Sequence, residues 1–189
     1  MRIIAGAYRG HRLAAVGKGD PAAHLRPTTD RLRETLFNVL AAGKFGTLSG
    51  SVVLDLFAGT GALGLEALSR GAVHATFVDD GRAAQKLILD NIKRLRLENA
   101  RLLSRDATRL PKNDGALATL VFLDPPYGKD LGARALGAAS AGGWLAPGAL
   151  VIWEENAQQP APEGFEMLDH RRYGDTSFTF LRHGDGPAN

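Results

Sequence analysis

The stretch SVVLDLFAGTGALG, residues 51–64, decides the fold. Ser51 to Phe57 is an almost continuous apolar run, the pattern of a strand covered on both faces in a parallel sheet. Gly59, Gly61 and Gly64 follow with the spacing G-x-G-x-x-G. That spacing marks a tight strand-to-helix turn whose backbone lies close to a ligand. Ala62 to Arg70 then reads as a helix that stops at Gly71.

Downstream, the same alternation repeats. Val73 to Asp79 reads as a second strand. Arg82 to Leu97 reads as a helix with Leu87, Ile88, Ile92 and Leu95 facing inward. Arg101 to Ser104 and Thr119 to Asp124 read as strands, Leu131 to Ala141 as a helix of small residues, and Ala149 to Glu154 as a fifth strand. Phe165 to Arg172 and Thr176 to Arg182 form a hairpin through Gly174-Asp175. Strands alternating with helices predict an α/β domain with a mostly parallel sheet.

Upstream, Thr28 or Thr29 caps a helix that places Leu32, Leu36, Val39 and Leu40 on one face. Gly17 to Arg26 reads as a loop, and Arg2 to Val16 as short strands or a hairpin around Arg9-Gly10. The chain thus divides into a basic N-terminal hairpin and loop (1–26), an α/β domain (27–183) and a mobile tail (184–189).

The 189 residues suit one domain with a real core. No apolar run approaches the roughly 20 residues of a membrane span, and the first residues lack the apolar segment of a signal peptide. Cysteine is absent, which excludes disulfides, thiolate metal sites and a cysteine nucleophile. It also fits a cytoplasmic setting. His11, His24, His74, His170 and His183 show no metal-ligand spacing, so no metal is expected. The net charge is only +3, but it is uneven. Arg2, Arg9, Arg12, Lys18, Arg26, Arg31 and Arg33 are opposed before residue 34 only by Asp20 and Asp30. That segment is a candidate face for nucleic-acid phosphates.

In open α/β sheets ligands bind at the carboxyl ends of the strands. The candidate cofactor residues are therefore Asp55, Phe57, Ala58, Gly59, Thr60 and Gly61 at the first strand, Asp79 and Asp80 at the second, and Asp106 and Ala107 after the third. The glycines alone would suit a dinucleotide. Asp55 argues against one, because a carboxylate there would repel a pyrophosphate. S-adenosylmethionine carries an ammonium and a sulfonium, and a carboxylate favours both. Either Asp79 or Asp80 could accept from the ribose hydroxyls. Asp106 could read an adenine amine.

The most specific motif is Asp124-Pro125-Pro126-Tyr127, at the end of the fourth strand. An exocyclic amine on a base is a poor nucleophile, because its lone pair is delocalised into the ring. Two acceptors aimed at its N–H bonds favour the pyramidal form that attacks a methyl group. Asp124 offers one acceptor, and the Pro125 carbonyl the other. The prolines fix φ and stiffen the loop. Tyr127 offers a face for base stacking. The base must be unpaired or flipped out for this chemistry.

These residues carry a family resemblance. The core resembles a class I S-adenosylmethionine-dependent methyltransferase. The whole chain is similar to the bacterial 16S rRNA (guanine-N2)-methyltransferase D family. The matching landmarks are Arg2-Ile3-Ile4-Ala5-Gly6, Tyr8-Arg9-Gly10, Arg26-Pro27-Thr28, Arg31, Glu34-Thr35-Leu36-Phe37-Asn38, the glycine loop and Asp124-Pro125-Pro126-Tyr127. The resemblance implies a Rossmann-like, seven-stranded sheet with an antiparallel last strand, and S-adenosylmethionine as donor. As acceptor it implies the N2 amine of a guanine in small-subunit ribosomal RNA, within the small ribosomal subunit. It also implies RNA contacts by Arg9, Arg12, Arg26, Thr28 and Arg31. A monomer is expected. The sequence departs from the family at Asp79-Asp80-Gly81, where a glutamate is more usual.

A DNA adenine or cytosine amino-methyltransferase would use the same amine chemistry. The short chain shows no separate recognition domain for it. An NAD-dependent oxidoreductase is opposed by Asp55 and by the paired prolines. A non-catalytic RNA-binding module is opposed by the presence of Asp55, Asp79 and Asp124 together.

Overall fold

A computed structural model describes residues 1–14 and 29–184. The loop at 17–26, Arg26, Thr28 and the tail beyond Gly184 lie outside the described residues.

The elements run α1 (Asp30–Ala41), β1 (Val52–Leu56), α2 (Ala62–Ser69), β2 (His74–Val78), α3 (Arg82–Leu95), β3 (Ala100–Leu103), β4 (Ala118–Leu123), α4 (Leu131–Ala141), β5 (Leu145–Glu155), β6 (Phe165–Tyr173) and β7 (Thr176–His183). The seven strands form one sheet in the order β3-β2-β1-β4-β5-β7-β6. β1 to β5 pair in parallel, and β7 is antiparallel to both β5 and β6. The expected Rossmann-like seven-stranded architecture is therefore present. Strand order reverses between β1 and β4, which is where a ligand crevice opens in such sheets.

Alternation along the strands fills two cores. One face buries Phe77, Leu120, Phe122, Phe178 and Phe180 under α1, α2 and α3, through Leu36, Phe37, Leu65 and Ile88. The other buries Leu54, Leu56, Val121, Leu123 and Trp153 under α4, through Ala135, Leu136 and Ala139. Each such side chain contributes about 1.5–3 kcal/mol on burial. Gly64 brings α2 down onto the sheet. A Cβ there would stand 2.5 Å from the Phe77 ring.

β5 starts earlier than its apolar run suggests. It extends back to Leu145 alongside β4, across an irregularity between Ala118 and Leu120. The N-terminal segment is a narrow hairpin with a bridge between Arg2 and Arg12. It docks on α2. Ile4 and Ala5 donate backbone N–H bonds to the Glu66 carboxylate (2.8 and 3.0 Å), and Tyr8 N–H donates to Ser69 Oγ (3.0 Å). Gly6 sits so near Ser69 that a Cβ would fall 1.7 Å from its carbonyl oxygen, and its φ is +84°.

α1 corrects one expectation. Thr29 caps it, with its hydroxyl accepting from Leu32 N–H. Its buried residues are Arg33, Leu36, Phe37 and Leu40, while Leu32 and Val39 are half-buried. Arg33 is thus no part of the basic face. Its side chain is fully buried, 3.0 Å from Asp30 and 3.7 Å from Glu66. Glu66 also accepts from Arg70 Nε at 2.7 Å. Among the described residues no helix is long and apolar enough to cross a membrane.

Candidate active site

Register brings the predicted residues together. Asp55 lies opposite Phe77 of β2 and Phe122 of β4, and Leu56 opposite Val78 and Leu123. The three strands therefore end level. Their next residues, Phe57, Asp79 and Asp124, line one rim of the sheet.

At the end of β1 the backbone turns sharply. Phe57 takes a left-handed conformation (φ 57°), as do Gly59 (φ 57°) and Gly61 (φ 75°). For Phe57 this costs about 1–3 kcal/mol and persists because its surroundings fix it. Ala58 N–H donates to the Val78 carbonyl (3.0 Å), and Gly61 N–H donates to Ala58 (2.7 Å). Two carboxylates brace the loop. Asp79 accepts from Gly59 N–H with one oxygen and from Gly81 N–H with the other, each at 2.9 Å. Asp55 accepts from Gly64 N–H at 3.0 Å, tying the strand to the first turn of α2.

Asp55 is only 2% exposed. Burial pushes its carboxyl up to about 8, against the pull of the Gly64 N–H and with help from the Asp79 charge. Burial also raises Asp79, although the Gly59 and Gly81 bonds oppose it. Asp80 is exposed. The geometry therefore favours Asp79 over Asp80 as the acid on the groove. Asp106 accepts from the Thr108 N–H and hydroxyl, both at 2.8 Å, which hold its carboxyl below the usual range. Ala107 beside it is buried against Leu56, Val78 and Leu123, so the turn after β3 folds over the strand ends.

The Asp124 N–H points to the Leu56 carbonyl (3.4 Å), which sets the motif against the start of the glycine loop. Pro125 is buried, Pro126 is exposed and Tyr127 is half-buried. Gly128 takes φ 71° and donates its N–H to Glu155 Oε1 at 3.2 Å. Glu154 and Glu155, at the end of β5, are both buried. Burial drives the Asp124 carboxyl well above its ordinary value, and the charges of Glu154, Asp55 and Glu155 push it the same way.

This rim of carboxylates selects among ligands. A pyrophosphate would bring more negative charge to Asp55, Asp79 and Asp124, where burial and neighbouring charges already disfavour the ionised forms. A cationic ligand would relieve the crowding and restore the charged forms. The donor set thus fits S-adenosylmethionine, whose ammonium and sulfonium are cationic. Among the described residues no group of three or more His, Asp or Glu side chains is arranged to hold a metal ion.

Arg9, Arg12 and Arg31 are exposed, as a phosphate-contacting face requires. Arg26 and Thr28 lie outside the described residues. A cavity of about 190 Å³, lined by residues including Leu40, Phe45, Leu48, Leu120 and Leu150, sits by the amino ends of β1 and β4. It is away from the rim and holds none of the predicted residues. Sequence reasoning missed Glu66, Asn91, Glu154 and Glu155. Glu66 had one available signal, a single acid inside an otherwise apolar helix.

Comparison with known proteins gives the family and agrees with the fold. Residues 1–182 match the family model described as conserved hypothetical protein 95. The chain is 39% identical over 193 residues to the ribosomal RNA small subunit methyltransferase D of Escherichia coli strain K12, covering 100% of this chain and 93% of that protein. It is 35% identical over 190 residues to the protein of the same name from Haemophilus influenzae, covering 97% and 94%. Among solved structures, a putative methyltransferase from Escherichia coli superposes with a TM-score of 0.82 at 35% identity, covering 97% of this chain and 98% of that one. A putative methylase from Haemophilus influenzae gives 0.74 at 31% identity, with the same coverage.

Proposed function

This chain belongs to the conserved hypothetical protein 95 family, with the small-subunit ribosomal RNA methyltransferases D, and from that premise we propose that it methylates the N2 amine of a guanine in small-subunit ribosomal RNA. The observation that carries the reading is the register of β1 and β4, which sets Asp124-Pro125-Pro126-Tyr127 beside the glycine loop.

S-adenosylmethionine, when bound, supplies a methyl group activated by its sulfonium charge. The chain's own residues do the rest. Gly59 to Gly61 and Asp79 hold and orient the donor. A cation beside Asp55 and Asp124 favours their ionised forms, so Asp124 is ready to accept when the donor is in place. The Asp124 carboxylate and the Pro125 carbonyl accept the two N–H bonds of the guanine amine and localise its lone pair on nitrogen. Transfer would form the nitrogen–methyl bond as the carbon–sulfur bond breaks, the sulfonium leaving as a neutral thioether and the nitrogen becoming cationic. Its surplus proton passes to Asp124, whose raised pKa suits it to receive one. Tyr127 stacks on the flipped base and excludes water from it. Arg9, Arg12, Arg26, Thr28 and Arg31 contact RNA phosphates, within the small ribosomal subunit in the cytoplasm. The protein acts as a monomer and needs no metal.

The test is transfer of labelled methyl from S-adenosylmethionine to three acceptors in parallel: small ribosomal subunits lacking base methylation, naked small-subunit RNA, and duplex DNA. The expected result is label in the RNA, recovered as N2-methylguanine after digestion. Label in DNA alone, or in another base position, would overturn the assignment of the acceptor.

A further inference from the structure

Asn91 lies on the inward face of α3 and is fully buried. Its position is unusual in what it joins. The side-chain Nδ2 donates to the Thr60 carbonyl (3.1 Å), in the middle of the glycine loop. The Oδ1 of the same amide accepts from the Ala14 N–H at 2.6 Å. Ala14 closes the N-terminal hairpin and leads directly toward Arg26 and Thr28 in the sequence. One side chain therefore bridges the loop that cradles the donor and the segment that carries the basic face.

Other contacts make the two ends of this bridge a single unit. Thr60 Oγ1 also meets Met1 Sδ at 3.6 Å, and Leu13 N–H donates to the Met1 carbonyl (3.2 Å). Just beyond the loop, α2 holds the hairpin through Glu66 and Ser69. A buried amide with both ends engaged is costly to misplace, because neither a lost donor nor a lost acceptor can turn to water. Any shift of Thr60 when the donor settles must therefore be met by Asn91 and passed to Ala14.

We infer that Asn91 is a positioning residue that links donor binding to RNA binding. A site that biases the other's geometry changes its affinity, and the effect is reciprocal. Filling the glycine loop fixes Thr60, which fixes Asn91, which fixes Ala14 at the end of the hairpin that carries Arg9 and Arg12. RNA then meets a hairpin already held at Ala14. This inference rests on the reading that RNA is the substrate.

The experiment measures the affinity of the full chain for naked small-subunit RNA, with and without saturating S-adenosylhomocysteine as an unreactive stand-in for the donor. The expected result is at least about a fivefold gain in RNA affinity with the nucleoside present, in the usual range for coupled sites. In Asn91→Ala the gain should fall to near one, while each ligand still binds alone. Asn91→Asp keeps the acceptor for Ala14 but loses the donor to Thr60, and should also uncouple the sites. Ala14→Pro removes the N–H at the other end and leaves the Asn91 side chain in place, so the inference stays testable if Asn91 variants fold poorly. Uncoupling by Ala14→Pro supports it. Undiminished coupling in every folded variant overturns it, as does equal RNA affinity with and without the nucleoside in the unaltered chain. Failure of that chain to bind RNA at all, with S-adenosylhomocysteine binding intact, would instead sink the RNA reading and the inference with it.

Discussion

Arg33 and Glu66 stand 3.7 Å apart, and neither side chain is exposed. Glu66 serves more than this pair. It also takes the N–H groups of Ile4 and Ala5 and the Arg70 side chain, so it joins α1, α2 and the N-terminal hairpin. Arg33 in turn donates to the Arg2 carbonyl and to Asp30.

Glu66→Ala should leave the Arg33 charge buried with its deepest partner gone. Breaking a buried pair in this way costs about 3–5 kcal/mol. A urea melt should show the midpoint falling sharply, and proteolysis should cut first near the hairpin. An unchanged midpoint would mean that the network holds nothing together.

Asp55 predicts how stability depends on pH. Its carboxyl sits at about 8 when folded, against an ordinary 3.8. The neutral form therefore favours the folded chain fully below about pH 4. That contribution is lost progressively from about pH 4, where the unfolded chain ionises, and is gone above about 8, where the folded carboxyl ionises too. The ligand-free protein should lose stability across this window, and Asp55→Asn should flatten the profile. Thermal melts in a pH series give the answer.

The same carboxyl group predicts proton release when a cation binds beside it. The affinity for S-adenosylmethionine should rise from pH 6 to about 8 as Asp55 ionises. Calorimetry in buffers of different ionisation heat should detect the released proton, and Asp55→Asn should abolish its contribution.

Asp79 and Asp80 separate cleanly. Asp79 braces Gly59 and Gly81, while Asp80 is exposed. Hydrogen bonds to a charged group contribute about 1.5–3 kcal/mol each. Asp79→Ala should therefore weaken donor binding by at least about tenfold, and Asp80→Ala should change it little. Titration calorimetry of both variants decides which acid faces the groove.

Asp124→Ala should cut methyl transfer by about 10²–10³-fold, as expected for one acceptor lost from the transition state. Donor affinity should change far less than transfer does, because Asp55 and Asp79 still face the cationic donor. Single-turnover transfer of labelled methyl measures the first, and equilibrium binding the second. Near-normal turnover would refute the proposed role.

Arg31→Ala should weaken RNA binding and reduce its salt slope by about one. Arg33→Ala, two residues on, should instead unfold the chain. Sequence spacing did not separate these two, since both are arginines in one basic stretch.

That pair shows where reading the chain alone stops. The apolar run before the glycine loop, the G-x-G-x-x-G spacing and the prolines after Asp124 were legible, because each is a local requirement. A doubly covered strand must be apolar, a tight turn must have glycine, and a rigid acceptor loop is stiffened by proline. From these follow the α/β architecture and most of the candidate site. The fate of Arg33, Glu66 and Asn91 was not local. A charge or amide on a helix can face water or the core with the same spacing. It faces the core here because the hairpin, folded back over α2, brings Ile4, Ala5 and Ala14 to meet it. Likewise, sequence placed Asp55 and Asp124 at strand ends. Only the level register of β1 and β4, with Glu154 and Glu155 arriving on β5, crowds the carboxylates closely enough to shift their protons. Short-range sterics wrote the strands, turns and motifs into the sequence. Long-range packing decided which polar groups were taken out of water, and so which of them carry the weight of the fold and the charge of the site.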